Sequence, residues 1–130
     1  MTTEALNHIR NFMKQLGIPY CLNKWKKAIP DRYWVGEYQE VDSDNMETTG
    51  YQESSFYLSG FSRGPGAGLI LENDKETLKK ACMNYRRILA SGAAIAISYD
   101  TGKMVSTNTA DISRLDITLT IKEWRVNEND

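Results

Sequence analysis

The stretch from Arg32 to Arg63 constrains the fold of this chain most strongly. It consists of two aromatic-rich runs, RYWVGEY and SSFYLSGFSR, joined by a long polar connection. The pair predicts a β-hairpin with an extended tip. Both faces of the two strands carry aromatic side chains. This pattern suits strands that are covered by a helix on one face and by another subunit on the other, and it also suits ordinary buried strands.

Charge is distributed unevenly within this stretch and around it. Between Arg32 and Arg63 there is no lysine or arginine, and the carboxylates are Glu37, Glu40, Asp42, Asp44, Glu47 and Glu53. Basic residues precede and follow them, and those that follow include Lys79, Lys80, Arg86 and Arg87. Such segregation is compatible with electrostatic contact between copies or with a partner. A solvated surface explains it equally well.

Two segments outside the hairpin show the three- and four-residue spacing of amphipathic helices. The first runs from about Thr3 to Leu16 and ends before a glycine and a proline. The second is predicted from about Asp74 to Ala90, because Asn73 and the glutamate three residues later resemble a capping box. The glycines between Arg63 and Gly68 (RGPGAG) predict a flexible connection before this helix.

The remaining strands follow the second helix. Residues 94–99 alternate, and Asp100 to Lys103 then reads as a turn. Alternation is clearest from Leu115 to Ile121, and a shift of its phase toward Trp124 predicts a β-bulge near residues 122–123. The segment GIPYCLNKW could add a short extended piece. We therefore predict a single α+β domain over residues 1–130, with a frayed tail at 127–130. Its one mostly antiparallel sheet has four to five strands, includes a long β-hairpin and is covered by two helices.

Composition excludes several classes of function. No apolar run approaches the roughly 20 residues that a spanning helix needs, so we expect no membrane segment. The net charge of -1 is against a nucleic-acid binder, which more often carries a positive excess. No secretory signal is evident at the start of the sequence, so Cys21 and Cys82 are expected to be reduced thiols.

No motif announces catalysis, a metal site or a cofactor site. The single histidine, His8, borders the apolar stripe of the first helix, where a surface or interface role is the expectation. The glycine-rich loop is followed by Leu69 and not by the lysine and hydroxyl of a phosphate-binding loop. The acidic connection lacks the spacing of a calcium-binding EF-hand loop. Tyr20, Trp25 and Trp34 lie near basic residues and could stack on bases, but packing in the core or an interface is favoured. We expect no enzyme activity and no cofactor.

The layout of elements resembles a known family. An amphipathic first helix, an aromatic strand after a proline (Pro30, then Tyr33 to Val35), a long hairpin, a second helix and two closing strands are arranged similarly to the tail-terminator and tail-completion proteins of long-tailed bacteriophages and prophages. The ending ITLTIKEWRV, from Ile117 to Val126, is similar to the closing strand of that family. The resemblance spans residues 5–126.

This resemblance implies a ring, typically a hexamer, that terminates the tail tube and joins it to the head connector. The partners would be other copies of the chain, the tube protein and the connector, with DNA passing through without specific binding. The protein would reside in the virion tail, after assembly in the host cytoplasm. A ring needs two complementary patches on each subunit, because its contacts are head-to-tail. The six carboxylates named above would form a partner interface or line the lumen, and Lys79, Lys80, Arg86 and Arg87 would form the complementary basic surface.

Two other classes of protein stay open. One is a different phage component, such as a head-closure or minor capsid protein. The other is a small enzyme or ligand-binding domain with a pocket between the helices and the sheet.

Overall fold

The computed structural model describes residues 1–25, 28–41 and 50–125. Two helices and six strands follow one another in the order α1 (Thr3–Gln15), β1 (Tyr20–Leu22), β2 (Arg32–Glu40), β3 (Gln52–Arg63), α2 (Ala67–Ala81), β4 (Tyr85–Ile88), β5 (Ala94–Val105) and β6 (Ile112–Trp124). Thr2 caps α1 by accepting a hydrogen bond from the backbone N–H of Ala5. The predicted frayed tail, residues 127–130, lies outside the described residues.

All six strands belong to one sheet, in the spatial order β1-β2-β3-β6-β5-β4. The β1–β2 pair is parallel, and the other pairs are antiparallel. The predicted α+β fold, with one sheet, two helices and a long hairpin, is confirmed. The sheet is mixed and has six strands where four to five were predicted, because a strand forms in a segment that was assigned to the second helix.

The prediction for the second helix was wrong at both ends. The helix begins at Ala67, inside the predicted loop, so the proposed capping residue Asn73 lies within it. It ends at Ala81, since Asn84 adopts a left-handed conformation with a φ of 54°. Residues 85–88 then pair with β5. The inward spacing of Ala67, Leu71 and Leu78 fits a helix as well as the later residues do, so periodicity alone could not decide between the two.

The predicted bulge in β6 is also absent from its predicted position. The buried alternation of β6 continues through Ile121 to Glu123, which is 5% exposed. The irregularity lies in β5, between Tyr99 and Thr101, and β5 continues to Val105 through the predicted turn. The Glu123 carboxylate of β6 is held in its inward position by Thr2. The backbone N–H and the hydroxyl of Thr2 donate hydrogen bonds to Glu123 Oε1, at 3.2 and 2.9 Å.

Both helices pack against the same face of the sheet. The core between them contains buried apolar residues from α1, α2 and every strand from β2 to β6 except β4. Trp34 of β2 is fully buried there and lies against its cross-strand neighbour Gly60. A Cβ atom at Gly60 would lie 2.5 Å from the indole ring, so the glycine is required by this close approach.

A partly buried ion pair joins α2 to β2. The Nε and Nη2 atoms of Arg32 donate to the two carboxylate oxygens of Asp74 at 2.7 and 2.6 Å. Trp34 Nε1 donates to Asp74 Oδ2 at 2.8 Å. The hydrogen bond to Asp74 raises the pKa of Arg32 above its ordinary value. These three bonds orient the second helix on the sheet and hold the indole in the core.

Candidate functional site

The face of the sheet opposite the helices carries exposed aromatic and charged side chains and is the candidate surface for a partner. We call it the open face. Along β3 the residues that turn toward it are half-buried or exposed, whereas their neighbours are buried; in β2 only Trp34 and Gly36 are buried on the other face. Tyr57, near its centre, is 43% exposed. An antiparallel sheet often leaves one face solvated and mostly polar, and the aromatic side chains of this face are the exception to that pattern.

One end of the open face carries a row of aromatic rings. The rings of Trp25 and Tyr33 lie 5.6 Å apart, and those of Tyr33 and Phe61 are stacked at 5.2 Å. The guanidinium of Arg114 lies 5.6 Å from the Phe61 ring and forms a two-bond ion pair with Asp116. Beside these rings lies a groove of roughly 370 Å³, here called the aromatic groove. Its lining also includes Asn23, Lys24, Ile29, Val35, Glu37, Tyr57 and Ser59.

The opposite end of the open face carries aromatic and basic side chains. The rings of Tyr51 and Trp124 lie 5.3 Å apart. Lys122 Nζ lies 4.8 Å from the Tyr51 ring, and the Arg86 guanidinium lies 5.2 Å from the Trp124 ring. A second groove of roughly 330 Å³ lies along β4. It is lined by Arg86, Arg87, Ile88, Ala94, Ile95 and Trp124, and we call it the edge groove.

The predicted acidic residues do not all lie on one surface. Glu37 is exposed on the open face, beside the aromatic groove. Glu53 also faces this side and lies directly across the ladder from Lys122. Glu40 turns toward the helices, where its carboxylate contacts the amino group of Met1. The other three predicted residues, Asp42, Asp44 and Glu47, lie outside the described residues.

The predicted basic residues divide between two elements. Lys79 and Lys80 are exposed on α2. Arg86 and Arg87 lie on β4 and not on a helix, so they turn to opposite faces of the sheet. Arg86 turns to the open face with Trp124, whereas Arg87 turns to the helix face and lies 4.2 Å from the Tyr85 ring. The basic helical surface expected from the sequence is therefore replaced by a basic edge strand and a separate pair of lysines.

Burial in the fold shifts the pKa values of His8 and Cys82. His8 Nε2 is hydrogen-bonded to the Tyr85 hydroxyl at 2.7 Å. Burial, and secondarily the charge of Arg87, lower the pKa of His8. Burial raises the pKa of the Cys82 thiol to about 12. Among the described residues, no three or more His, Cys, Asp and Glu side chains are grouped to hold a metal ion.

Sequence reasoning missed three residues of the open face: Trp124, Arg114 and Asp116. Trp124 was read as a sign of a bulge, although its turn toward the open face follows from uninterrupted alternation. Arg114 and Asp116 were not singled out, and their spacing of two residues is the signal that places them side by side on one face.

Neither described helix is long and apolar enough to cross a membrane. Comparisons of the chain with models of protein families, with curated protein sequences and with solved structures find no match.

Proposed function

We propose that this chain is a non-enzymatic virion morphogenesis protein of a long-tailed phage or prophage. In this role it forms a ring, a hexamer in the assembled particle, that terminates the tail tube and joins it to the head connector. The observation that carries the proposal is the placement of opposite charges near opposite edges of the sheet. The resemblance of the element order to tail-terminator proteins supplies the biological setting.

The order of strands gives each subunit two different sides. Glu37 and Glu40 lie on β2, next to the edge strand β1, whereas Arg86 and Arg87 lie on β4, the opposite edge strand. A closed ring requires head-to-tail contacts, in which one patch of a subunit meets a different patch of its neighbour. Complementary charge on the two sides favours this arrangement over a symmetric dimer, in which like patches would meet.

The open face is suited to a second partner. Ile29 and Tyr57 are 65% and 43% exposed there, next to the row of aromatic rings. Exposed apolar and aromatic side chains grouped on one surface are typical of protein interfaces. We assign this face to the tube protein or the head connector. Carboxylates of the hairpin that are not engaged by the next subunit would line the lumen, where they repel the phosphates of passing DNA.

The test is complementation of a phage or prophage that lacks the gene. We expect Asp42→Lys with Asp44→Lys to reduce the yield of joined particles, because these reversals replace two of the six carboxylates proposed for the interface or lumen by lysines. The matched control is Glu76→Lys with Asp111→Lys, which makes the same charge change at exposed positions on α2 and before β6. A normal particle yield from the first variant, or an equal loss from both, would count against the proposal.

A small ligand-binding domain is the second candidate, and the aromatic groove is the observation that favours it. The groove lies on the open face, not between the helices and the sheet, where apolar side chains fill the core. A metabolite that raises the melting temperature of the protein, with the rise lost in Tyr57→Ala, would support this candidate. Absence of such a rise across a metabolite screen would leave the assembly role as the better explanation.

A further inference from the structure

The strand β4 has a free backbone edge whose hydrogen-bonding groups can be assigned. It pairs with β5 on one side only. Beyond its end, the N–H of Leu89 donates to the carbonyl of Ala93 at 2.7 Å. Because hydrogen-bonded pairs alternate along an antiparallel ladder, Arg87 and Tyr85 bond to β5. The N–H and C=O groups of Arg86 and Ile88 therefore point outward, away from the sheet.

One of the outward backbone groups of this edge is already hydrogen-bonded to a side chain. Arg87 Nη1 donates to the outward carbonyl of Arg86 at 2.7 Å. Ile88, whose side chain turns to the open face, is 75% exposed. A short, basic edge strand resists pairing with most chains, because arginine side chains are costly to cover. An incoming segment that carries carboxylates would remove this cost, since it could take over the guanidinium groups as it paired with the strand.

We propose that β4 accepts an acidic, extended segment of a second copy of this chain as an added strand. The segment is the connection between β2 and β3, Val41 to Tyr51, whose sequence supplies Asp42, Asp44 and Glu47. Main-chain hydrogen bonds to Arg86 and Ile88 would provide affinity, and the two arginines would select for carboxylates. The edge groove beside Trp124 would receive an apolar side chain of the segment, such as Met46.

The same connection is too short to reach β4 of its own chain. The position of an added strand lies four strand spacings from β3 and five from β2, which is roughly 19 and 24 Å along the sheet. The path out and back is therefore about 43 Å, and the twelve Cα–Cα steps from Glu40 to Gln52 span at most roughly 43 Å when fully extended. No residue would remain to run along β4. The added strand therefore comes from a neighbouring copy, as a head-to-tail ring requires.

The inference rests on the proposed ring and is tested separately from it. The probe is a fluorescent synthetic peptide, EVDSDNMETTGYQE, which corresponds to residues 40–53. Its binding to the full chain is measured by fluorescence anisotropy at low and moderate salt. A control peptide replaces every Asp and Glu by Asn and Gln. We expect saturable binding of the acidic peptide and at least a 10-fold weaker affinity for the control peptide.

Two protein variants separate edge pairing from general charge attraction. Arg86→Glu with Arg87→Glu should weaken binding at least 10-fold, whereas the same charge change at Lys79→Glu with Lys80→Glu on α2 should weaken it less than 3-fold. Ile88→Pro removes an outward N–H without changing charge, and proline is tolerated at an edge when its N–H faces solvent. This variant should also lose at least 10-fold in affinity while it keeps the wild-type melting temperature.

Several results would overturn the inference: no binding of the acidic peptide, equal losses in the two charge-reversal variants, or wild-type affinity in Ile88→Pro. These results would leave the ring proposal standing, because a ring could close through other surfaces. Conversely, peptide binding as expected, together with particles that assemble normally without the gene, would support edge pairing and reject the tail role.

Discussion

The partly buried ion pair between Arg32 and Asp74 permits a quantitative prediction about stability. The side chain of Asp74 is 8% exposed and that of Arg32 is 32% exposed. Removing one partner of a buried pair costs about 3–5 kcal/mol, because the other charge is left uncompensated. Water can reach part of the Arg32 guanidinium, which lowers the cost. The indole N–H of Trp34 also loses its acceptor. We therefore expect Asp74→Ala to lower the free energy of unfolding by about 2–4 kcal/mol.

The pair between Arg114 and Asp116 provides a matched control. It has the same two-bond geometry, but both side chains are 38% exposed on the open face. Exposed pairs contribute about 0–1 kcal/mol, since solvent screens the attraction and the side chains lose freedom. Asp116→Ala should therefore lower the free energy of unfolding by no more than about 1 kcal/mol.

Urea denaturation followed by tryptophan fluorescence measures both variants. With a slope of about 1.5 kcal/mol/M, the midpoint should fall by roughly 2 M in Asp74→Ala and by less than about 0.7 M in Asp116→Ala. Equal shifts of the two midpoints would refute the reasoning, because they would show that burial does not determine the contribution of these pairs. A slope that differs between variants would require the free energies to be compared in place of the midpoints.

Three further predictions follow from the core and its titratable groups. Gly60→Ala should cost about 1–3 kcal/mol of stability in the same denaturation assay, because its Cβ would collide with the indole of Trp34; an unchanged midpoint would contradict this close approach. The lowered pKa of His8 means that the unfolded chain binds a proton more readily than the folded chain does. Stability should therefore fall as the pH drops below about 6.5, and His8→Gln should flatten this dependence between pH 5 and 7; an identical pH profile would rule out this contribution. The native protein should show one thiol that reacts quickly with a disulfide reagent, the half-exposed Cys21, since Cys82 is buried with a pKa of about 12. In Cys21→Ser the fast phase should vanish, and its persistence would mean that Cys82 is accessible.

Periodicity predicted the first helix, the hairpin and the last strand, because each of these elements has one buried side. It failed at the second helix, where two overlapping stripes share Leu78 and both fit the helical period. The left-handed turn at Asn84 decides between them, and asparagine tolerates that conformation without requiring it. The inward carboxylate of Glu123 could not be predicted either, since its partner Thr2 is distant in sequence.

The candidate surfaces were only partly predictable for a related reason. The unequal distribution of charge along the chain was compatible with acidic and basic patches and equally with a solvated surface. It could not indicate that Arg86 and Arg87 turn to opposite faces, because that follows from their being in a strand. The row formed by Trp25, Tyr33 and Phe61 depends on the register between β2 and β3 and on the path of the chain after β1. Register of this kind is set by tertiary packing across the whole sheet.

Electron microscopy of the particles made with and without the gene tests the assembly role most directly. If the protein terminates the tail, cells that lack it should produce tails of uncontrolled length and heads without tails. Labelling of wild-type particles with an antibody against the chain should mark the end of the tail that meets the head. Tails of normal length joined to heads in the absence of the gene would contradict the proposed role.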